Sequence, residues 1–241
     1  TGEREVFINA SHHANEWITT PLVLKFAETL LKAFVCGSTV LGRSARDLLE
    51  KVKIFIAPLV NPDGVELVNG AFDADSREYA AARRIALAYP RVPFPSGWKA
   101  NIEGTDLNLN YPAGWDEAKR IKYAEGWTSP APRDFVGTAP LSAPESRALY
   151  DLTLDNDFDL SISYHTQGEV IYWNYNEIDP PRGLEIANAM AAASGYSVED
   201  VPEESANAGY KDWFILNYDL PGYTVEAGKG VNPLPLSQFD R

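Results

Sequence analysis

Seven consecutive residues, Ser11-His12-His13-Ala14-Asn15-Glu16-Trp17, hold two of the chain's three histidines and a glutamate three positions past the second. A neutral imidazole and a carboxylate this close can share one zinc ion and leave room for a third ligand and a water. His-x-x-Glu alone is a loose pattern. It gains weight from the third histidine, His165, and from a further carboxylate, Glu226, each at the end of a short β-prone stretch. His12 reads as structural, because the spacing to Glu16 favours His13 as the ligand. Loops at strand ends on a rigid sheet are favoured places for chemistry.

The elements that must position these side chains follow from periodicity. Glu5 to Ala10 is a short apolar run that reads as a buried strand delivering His13 and Glu16. Thr20-Pro21 looks like an N-cap with proline at the first helical position. Leu22, Val23, Phe26, Leu30 and Phe34 then recur at helical spacing as far as Cys36-Gly37. A short helix is expected from Ser44 to Glu50, and a strand from Lys53 to Leu59. Asn61-Pro62-Asp63-Gly64 closes that strand as a turn signal, with Asn61 and Asp63 read as turn formers. Strand, helix, strand points to a crossover unit in a partly parallel sheet. Ser76 to Ala88 is helix-prone. Pro90 to Pro140 shows little periodicity but many aromatics, as expected of an ordered covering loop.

Further on, Ser142-Ala143-Pro144-Glu145 has the spacing of a capping box ahead of a helix through Leu154. Phe158 to Tyr164 alternates as a strand and delivers His165; Glu169 to Trp173 is another. Pro181 to Ser194 is an alanine-rich helix stopped by Gly195, and Asp212 to Leu216 a short one. Tyr223 to Glu226 is a last strand with a carboxylate at its end. Ligands of open α/β sheets bind outside the carboxyl ends of the strands, so His13, Glu16 and His165 are inferred to converge as a His₂Glu zinc set. Glu226 would be the general base, then the acid.

Composition narrows the partners. The formal net charge of −13 over 241 residues argues against nucleic acid or an anionic membrane surface. The single cysteine, Cys36, excludes an internal disulfide and a cysteine-based zinc site, and reads as a small buried apolar residue. No run of eighteen apolar residues is present to span a membrane. One domain over residues 1–241 is expected.

The residues resemble the zinc carboxypeptidase superfamily. The match runs through His13-Ala14-Asn15-Glu16-Trp17-Ile18-Thr19, Asn61-Pro62-Asp63-Gly64, Asp106-Leu107-Asn108, Tyr164-His165-Thr166 and Thr224-Val225-Glu226. The resemblance implies a single-domain α/β fold, a mixed and mostly parallel twisted sheet with helices on both faces, and one zinc ion. It implies that Asp106 hydrogen-bonds the first zinc histidine, fixing its tautomer, and that Asn108 contacts substrate. It also implies more sheet before Thr1 and a helix after Arg241, so the chain is expected to be truncated at both ends.

Within that superfamily the chain is most similar to bacterial γ-D-glutamyl-L-diamino acid peptidases of cell-wall (murein) peptides. Trp98-Lys99-Ala100-Asn101, Pro130-Ala131-Pro132-Arg133-Asp134, His165-Thr166-Gln167-Gly168-Glu169, Ile171-Tyr172-Trp173 and Gly209-Tyr210-Lys211-Asp212-Trp213 carry this likeness. It implies a murein peptide as substrate, a location in the bacterial cell envelope or outside the cell, and wall-binding modules beyond this chain. The branch often shows an arginine where Glu103 stands.

Further positions shape the reading. Digestive relatives carry an arginine after the asparagine here numbered Asn108, to clamp a terminal carboxylate; this chain has Leu109, which cannot form a bidentate pair. Lys99 aligns with the arginine that polarises the scissile carbonyl. Lys211 falls at the position facing the side-chain pocket, where a lysine could attract an acidic group, and Tyr210 is the candidate for the mobile tyrosine. Arg133 reads equally as a substrate ligand or as the partner of an acidic surface group. The alternatives are a metallocarboxypeptidase for acidic C-terminal residues and an inactive wall-peptide binding domain.

Overall fold

The computed structural model describes residues 4–202 and 205–239. Its first strand, β1 (Arg4–Ala10), ends in the histidine loop, where a 3₁₀ turn (Ala14–Glu16) leads into helix α1 (Thr19–Cys36). A small hairpin, β2 (Thr39–Val40) and β3 (Arg43–Ser44), and helix α2 (Ala45–Leu49) return the chain to β4 (Val52–Ala57). Helices α3 (Pro62–Val68), α4 (Arg77–Leu87) and α5 (Trp115–Ala124) lie in the long connection, and α6 (Pro144–Leu154) leads into β5 (Phe158–His165). Then come β6 (Val170–Tyr172), α7 (Gly183–Ser194), β7 (Ser197–Glu199), α8 (Tyr210–Tyr218) and β8 (Gly222–Glu226).

Six strands form one sheet in the order β4-β1-β5-β8-β6-β7. All neighbouring pairs are parallel except β6 with β8. This is the mixed, mostly parallel sheet expected. Alternation sends successive side chains to opposite faces. Ile8, Ala10, Ile162 and Val225 pack toward α1 and α7 on one face. Phe7 and Phe158 pack with Tyr210, Trp213 and Phe214 of α8 on the other. At Gly222 α8 packs tightly on the sheet: a Cβ there would lie 3.2 Å from both Phe214 and Ile215.

Several local expectations differ from the structure. Thr20 does not cap α1; the capping position is Ile18. Instead Thr20 Oγ1 donates to Pro58 O (2.6 Å), and Thr19 Oγ1 donates to Glu16 O and accepts from Ser11 N. Thr19 therefore fastens the helix entrance to the histidine loop, and Thr20 ties it to the segment after β4. Asn61 is more than a turn former. Its Oδ1 accepts from Gly64 N, capping α3, and its amide donates to His12 O and Ala100 O at 3.0 Å each. The Ser142–Glu145 capping box does not form, because Ser142 Oγ meets Asn110 and Glu145 meets Asn101. Cys36 is exposed at the last turn of α1 rather than buried.

Candidate metal centre

Strand ends bring the histidines and carboxylates together. β1 and β5 run parallel, with Ala10 opposite Tyr164, so the loop after β1 and the end of β5 emerge at the same rim. β8 continues the register, placing Glu226 opposite His165. His13 Nδ1 lies 2.9 Å from Glu16 Oε1, His165 Nδ1 lies 3.0 Å from Glu16 Oε2, and the two Nδ1 atoms are 3.1 Å apart. The donor atoms of His13, Glu16 and His165 all fall within 4.8 Å of one another, and all three residues are buried. Two imidazole nitrogens this close to each other and to one carboxylate need a cation between them. In the metal-free protein a proton on His13 serves; two neutral imidazoles and a carboxylate are also the donor set of a three-ligand zinc site.

The surrounding hydrogen bonds hold this geometry. Asp106 Oδ1 accepts from His13 Nε2 at 3.0 Å, leaving Nδ1 to face the cluster, and Asp106 Oδ2 accepts from Asp134 N. Thr166 N donates to Glu16 Oε2 at 3.1 Å. Asn232, which no sequence signal singled out, donates to Thr166 O (2.9 Å) and reaches Glu16 Oε1 (3.4 Å). Ala14 N donates to Lys99 O, so the metal loop and the Lys99 segment are one unit.

The electrostatics follow from burial and mutual proximity. Burial pulls the His13 pKa down, but Glu16 and Asp106 together outweigh burial and Lys99, and push it up to about 9. Burial likewise favours the neutral Asp106 carboxyl, yet the His13 charge and hydrogen bond, with Lys99, hold it far below the usual carboxylate range. His165 is kept neutral chiefly by burial. Glu226 is pushed up to about 8, first by burial and then by the Glu16 charge, against the pull of Lys99 and His13. Lys99, with its Nζ 3.7 Å from Glu16 Oε1, stays protonated because Glu16 and Asp106 overcome the cost of its burial.

These groups open onto a cleft of about 260 Å³ whose walls include Lys99, Asn108, Leu109, Arg133, Tyr172 and Glu226. Arg133 donates from Nε to Asp134 Oδ2, and its two terminal nitrogens make no hydrogen bond among the described residues. Asn108 is at the cleft but spends its Oδ1 on Tyr210 N. Two sequence expectations are corrected. The Tyr210 ring is fully buried among Phe7, Tyr111 and Trp213, with its hydroxyl on Thr153, so it faces the core rather than the cleft. Lys211 borders the cleft but is 4% exposed, and its ammonium is matched by Asp212 Oδ1 (2.6 Å) and Asn174 O. It is therefore no free attractor for an acidic group. His12 is not a ligand: its Nε2 meets Tyr111 Oη and its ring stacks on His165.

An open α/β sheet with two histidines and a glutamate at its carboxyl rim, and a further buried glutamate beside them, has the donor set of a three-ligand zinc site with an acidic side chain next to it. The chain belongs to the zinc carboxypeptidase family, whose model matches residues 1–240. It is 43% identical over 242 residues to a γ-D-glutamyl-L-diamino acid endopeptidase 1 of Lysinibacillus sphaericus, covering 99% of this chain and 58% of that protein. It is 42% identical to an uncharacterised protein, YqgT, of Bacillus subtilis, covering 98% and 61%. The chain thus spans about three-fifths of the curated relatives it matches. Among solved structures it superposes on thrombin-activatable fibrinolysis inhibitor (TM-score 0.67, 20% identity, 100% of this chain and 58% of that one). It also superposes on murein-tripeptide amidase MpaA of Escherichia coli O157 (TM-score 0.54, 20% identity, 95% and 75%). At these identities the two structures speak for the fold.

Proposed function

We propose that this chain hydrolyses the amide bond between the γ-carboxyl of D-glutamate and a diamino acid in bacterial murein peptides, working in the cell envelope or outside the cell. The observation that carries the substrate class is the 43% identity to the L. sphaericus endopeptidase over nearly the whole chain. Leu109 and Arg133 agree with it. The terminal-carboxylate clamp of digestive relatives is replaced by an apolar side chain, and a guanidinium with two free nitrogens stands elsewhere in the same cleft.

One zinc ion, held by His13 Nδ1, Glu16 and His165 Nδ1, would supply a Lewis acid that acidifies water toward a pKa of about 7 and polarises a carbonyl. The protein's own groups do the rest. Glu226 accepts the proton of the attacking water on its carboxylate and delivers it to the leaving amine. A base whose own pKa lies near the working pH is suited to both transfers. Lys99, fixed by the backbone bond to Ala14 and always charged, donates to the carbonyl oxygen as negative charge develops there. Asp106 holds the His13 tautomer that this arrangement needs. Arg133 pairs with a substrate carboxylate in a bidentate contact that Leu109 cannot offer.

The test is digestion of L-alanyl-γ-D-glutamyl-meso-diaminopimelyl-D-alanine by the zinc-loaded protein, with products read by mass spectrometry. The expected products are L-alanyl-D-glutamate and diaminopimelyl-D-alanine. Release of D-alanine alone would instead establish a carboxypeptidase, and tight binding without cleavage a wall-peptide binding domain.

A further inference from the structure

Behind the metal ligands, on the α8 face of the sheet, lies a row of buried polar atoms that meet no partner among the described residues. They are Asn9 Oδ1 and Nδ2, Ser161 Oγ, Ser163 Oγ, His12 Nδ1 and His165 Nε2. Each of these residues is at most 1% exposed. Their placement follows from register. Asn9 of β1 pairs with Ser163 of β5, Ser161 pairs with Phe7, and alternation puts Ser161, Ser163 and His165 on the face that carries Phe7 and Asn9. The His12 ring stacks on His165 at 5.5 Å and caps the row, tied through its other nitrogen to Tyr111.

Buried polar groups in folded proteins are nearly always hydrogen-bonded, to protein or to ordered water. The case of His165 is the sharpest. In the metal-free protein its Nδ1 donates to the Glu16 carboxylate at 3.0 Å; when Nδ1 instead holds zinc, the ring's hydrogen stands on Nε2. A metal-binding histidine almost always gives that second N–H to an acceptor, which fixes the ring. His13 has Asp106 for this purpose, whereas His165 has no protein acceptor among the described residues. Ser163 stands two residues back on the same face. Their Cα atoms are about 6.6 Å apart along the strand, and Ser163 Oγ and His165 Nε2 make no direct bond, an arrangement that a bridging water suits.

We propose that an internal cluster of ordered water fills this row. One water accepts from His165 Nε2–H and is held by Ser163 Oγ, and Asn9, Ser161 and His12 Nδ1 hold its neighbours. Ser163 and Asn9 are then positioning residues for the second zinc histidine, an inference that rests on the metal set argued above. A polar row of this kind, roomy enough for water and offering several partners, meets the usual conditions for buried hydration.

The experiment compares the parent protein with Ser163→Val, Asn9→Leu and the hydroxyl-retaining Ser163→Thr. Zinc affinity is measured by competition with a chelator, and Tm is measured on the metal-free proteins. Ser163→Val is expected to weaken zinc binding about tenfold or more with the metal-free Tm unchanged or higher, and Ser163→Thr to recover most of the affinity. A purely structural role would lower the metal-free Tm along with the affinity. Zinc affinity within twofold of the parent in both Ser163→Val and Asn9→Leu would overturn the proposal. Should neither variant fold, a high-resolution crystal structure of the zinc-loaded parent decides alone. Water within hydrogen-bond distance of His165 Nε2 and Ser163 Oγ supports the proposal, and a dry row or a protein acceptor on His165 refutes it. If the parent itself binds no zinc at these ligands, the metal set has failed rather than the water row.

Discussion

Adding zinc to the metal-free protein at pH 7 is expected to release between one and two protons per ion. The first comes from His13. With a pKa pushed up to about 9, its ring is about 99% doubly protonated at pH 7. Nε2 keeps its hydrogen on Asp106, so the proton that must leave is the one on Nδ1, the atom facing Glu16 and His165. Removing it costs about 2.7 kcal/mol at pH 7, from two pKa units at about 1.36 kcal/mol each, or roughly a hundredfold in apparent affinity. The second comes from Glu226, held near a pKa of about 8 and about 90% protonated at pH 7. A dication beside it favours the carboxylate and drives that proton off. Calorimetric titrations in buffers of different ionisation enthalpy count the protons directly. The apparent zinc dissociation constant should fall by one to two decades per pH unit between pH 6.5 and 8, then flatten above about pH 9. A zinc affinity independent of pH between 6.5 and 8, with no proton released, would refute the reasoning about His13.

Metal-free stability should fall with pH over the same range. His13 (folded about 9, unfolded 6.5) and Glu226 (folded about 8, unfolded 4.5) both bind protons more tightly when folded. The His13 contribution is complete below pH 6.5 and gone above 9; that of Glu226 is complete below 4.5 and gone above 8. Thermal scans from pH 6.5 to 9 should therefore show a declining metal-free Tm, and added zinc should abolish the decline. Glu226→Gln should retain stoichiometric zinc by metal analysis while turnover falls about 10²–10⁴-fold. Lys99→Met should lower kcat by about 10²–10³, with Lys99→Arg recovering part of it in the same steady-state assay. Asn61→Ala removes a helix cap and the amide that joins the His12 and Ala100 carbonyls, and should cost about 1–3 kcal/mol in denaturant unfolding.

The sheet was legible because its strands are short β-rich runs bounded by breakers. β1, β4, β5 and β8 fall within a residue or two of the expected stretches, and their parallel order follows from the intervening helices. The convergence of His13, Glu16, His165 and Glu226 was legible for a related reason: β5 and β8 end in His or Glu, β1 leads into the His13–Glu16 loop, and parallel strands share a rim. Helices α3 and α5 were missed. Asn-Pro-Asp-Gly signals a turn and a helix start equally well, and Trp115–Ala124 lies in a segment whose prolines and glycines hide its short period. Tyr210 and Lys211 fell on α8, and whether a helical side chain meets a cleft or a core depends on a rotation that sequence spacing does not set. Here Tyr210 turns to the core, and Lys211 is paired with its neighbour Asp212. Asn232 illustrates another limit. It touches Thr166 and Glu16 from a remote loop, and no local pattern marks such a contact.

Everything in the mechanism depends on where a single divalent ion sits. Anomalous diffraction collected on both sides of the zinc absorption edge, from crystals of the zinc-loaded protein, locates it without reference to activity. The expected result is one strong peak at about 2.0–2.2 Å from His13 Nδ1, a Glu16 carboxylate oxygen and His165 Nδ1, with Glu226 beside it and not bound to it. A peak ligated by His12 or Glu226 in place of one of those three, or no peak at this rim, would contradict it.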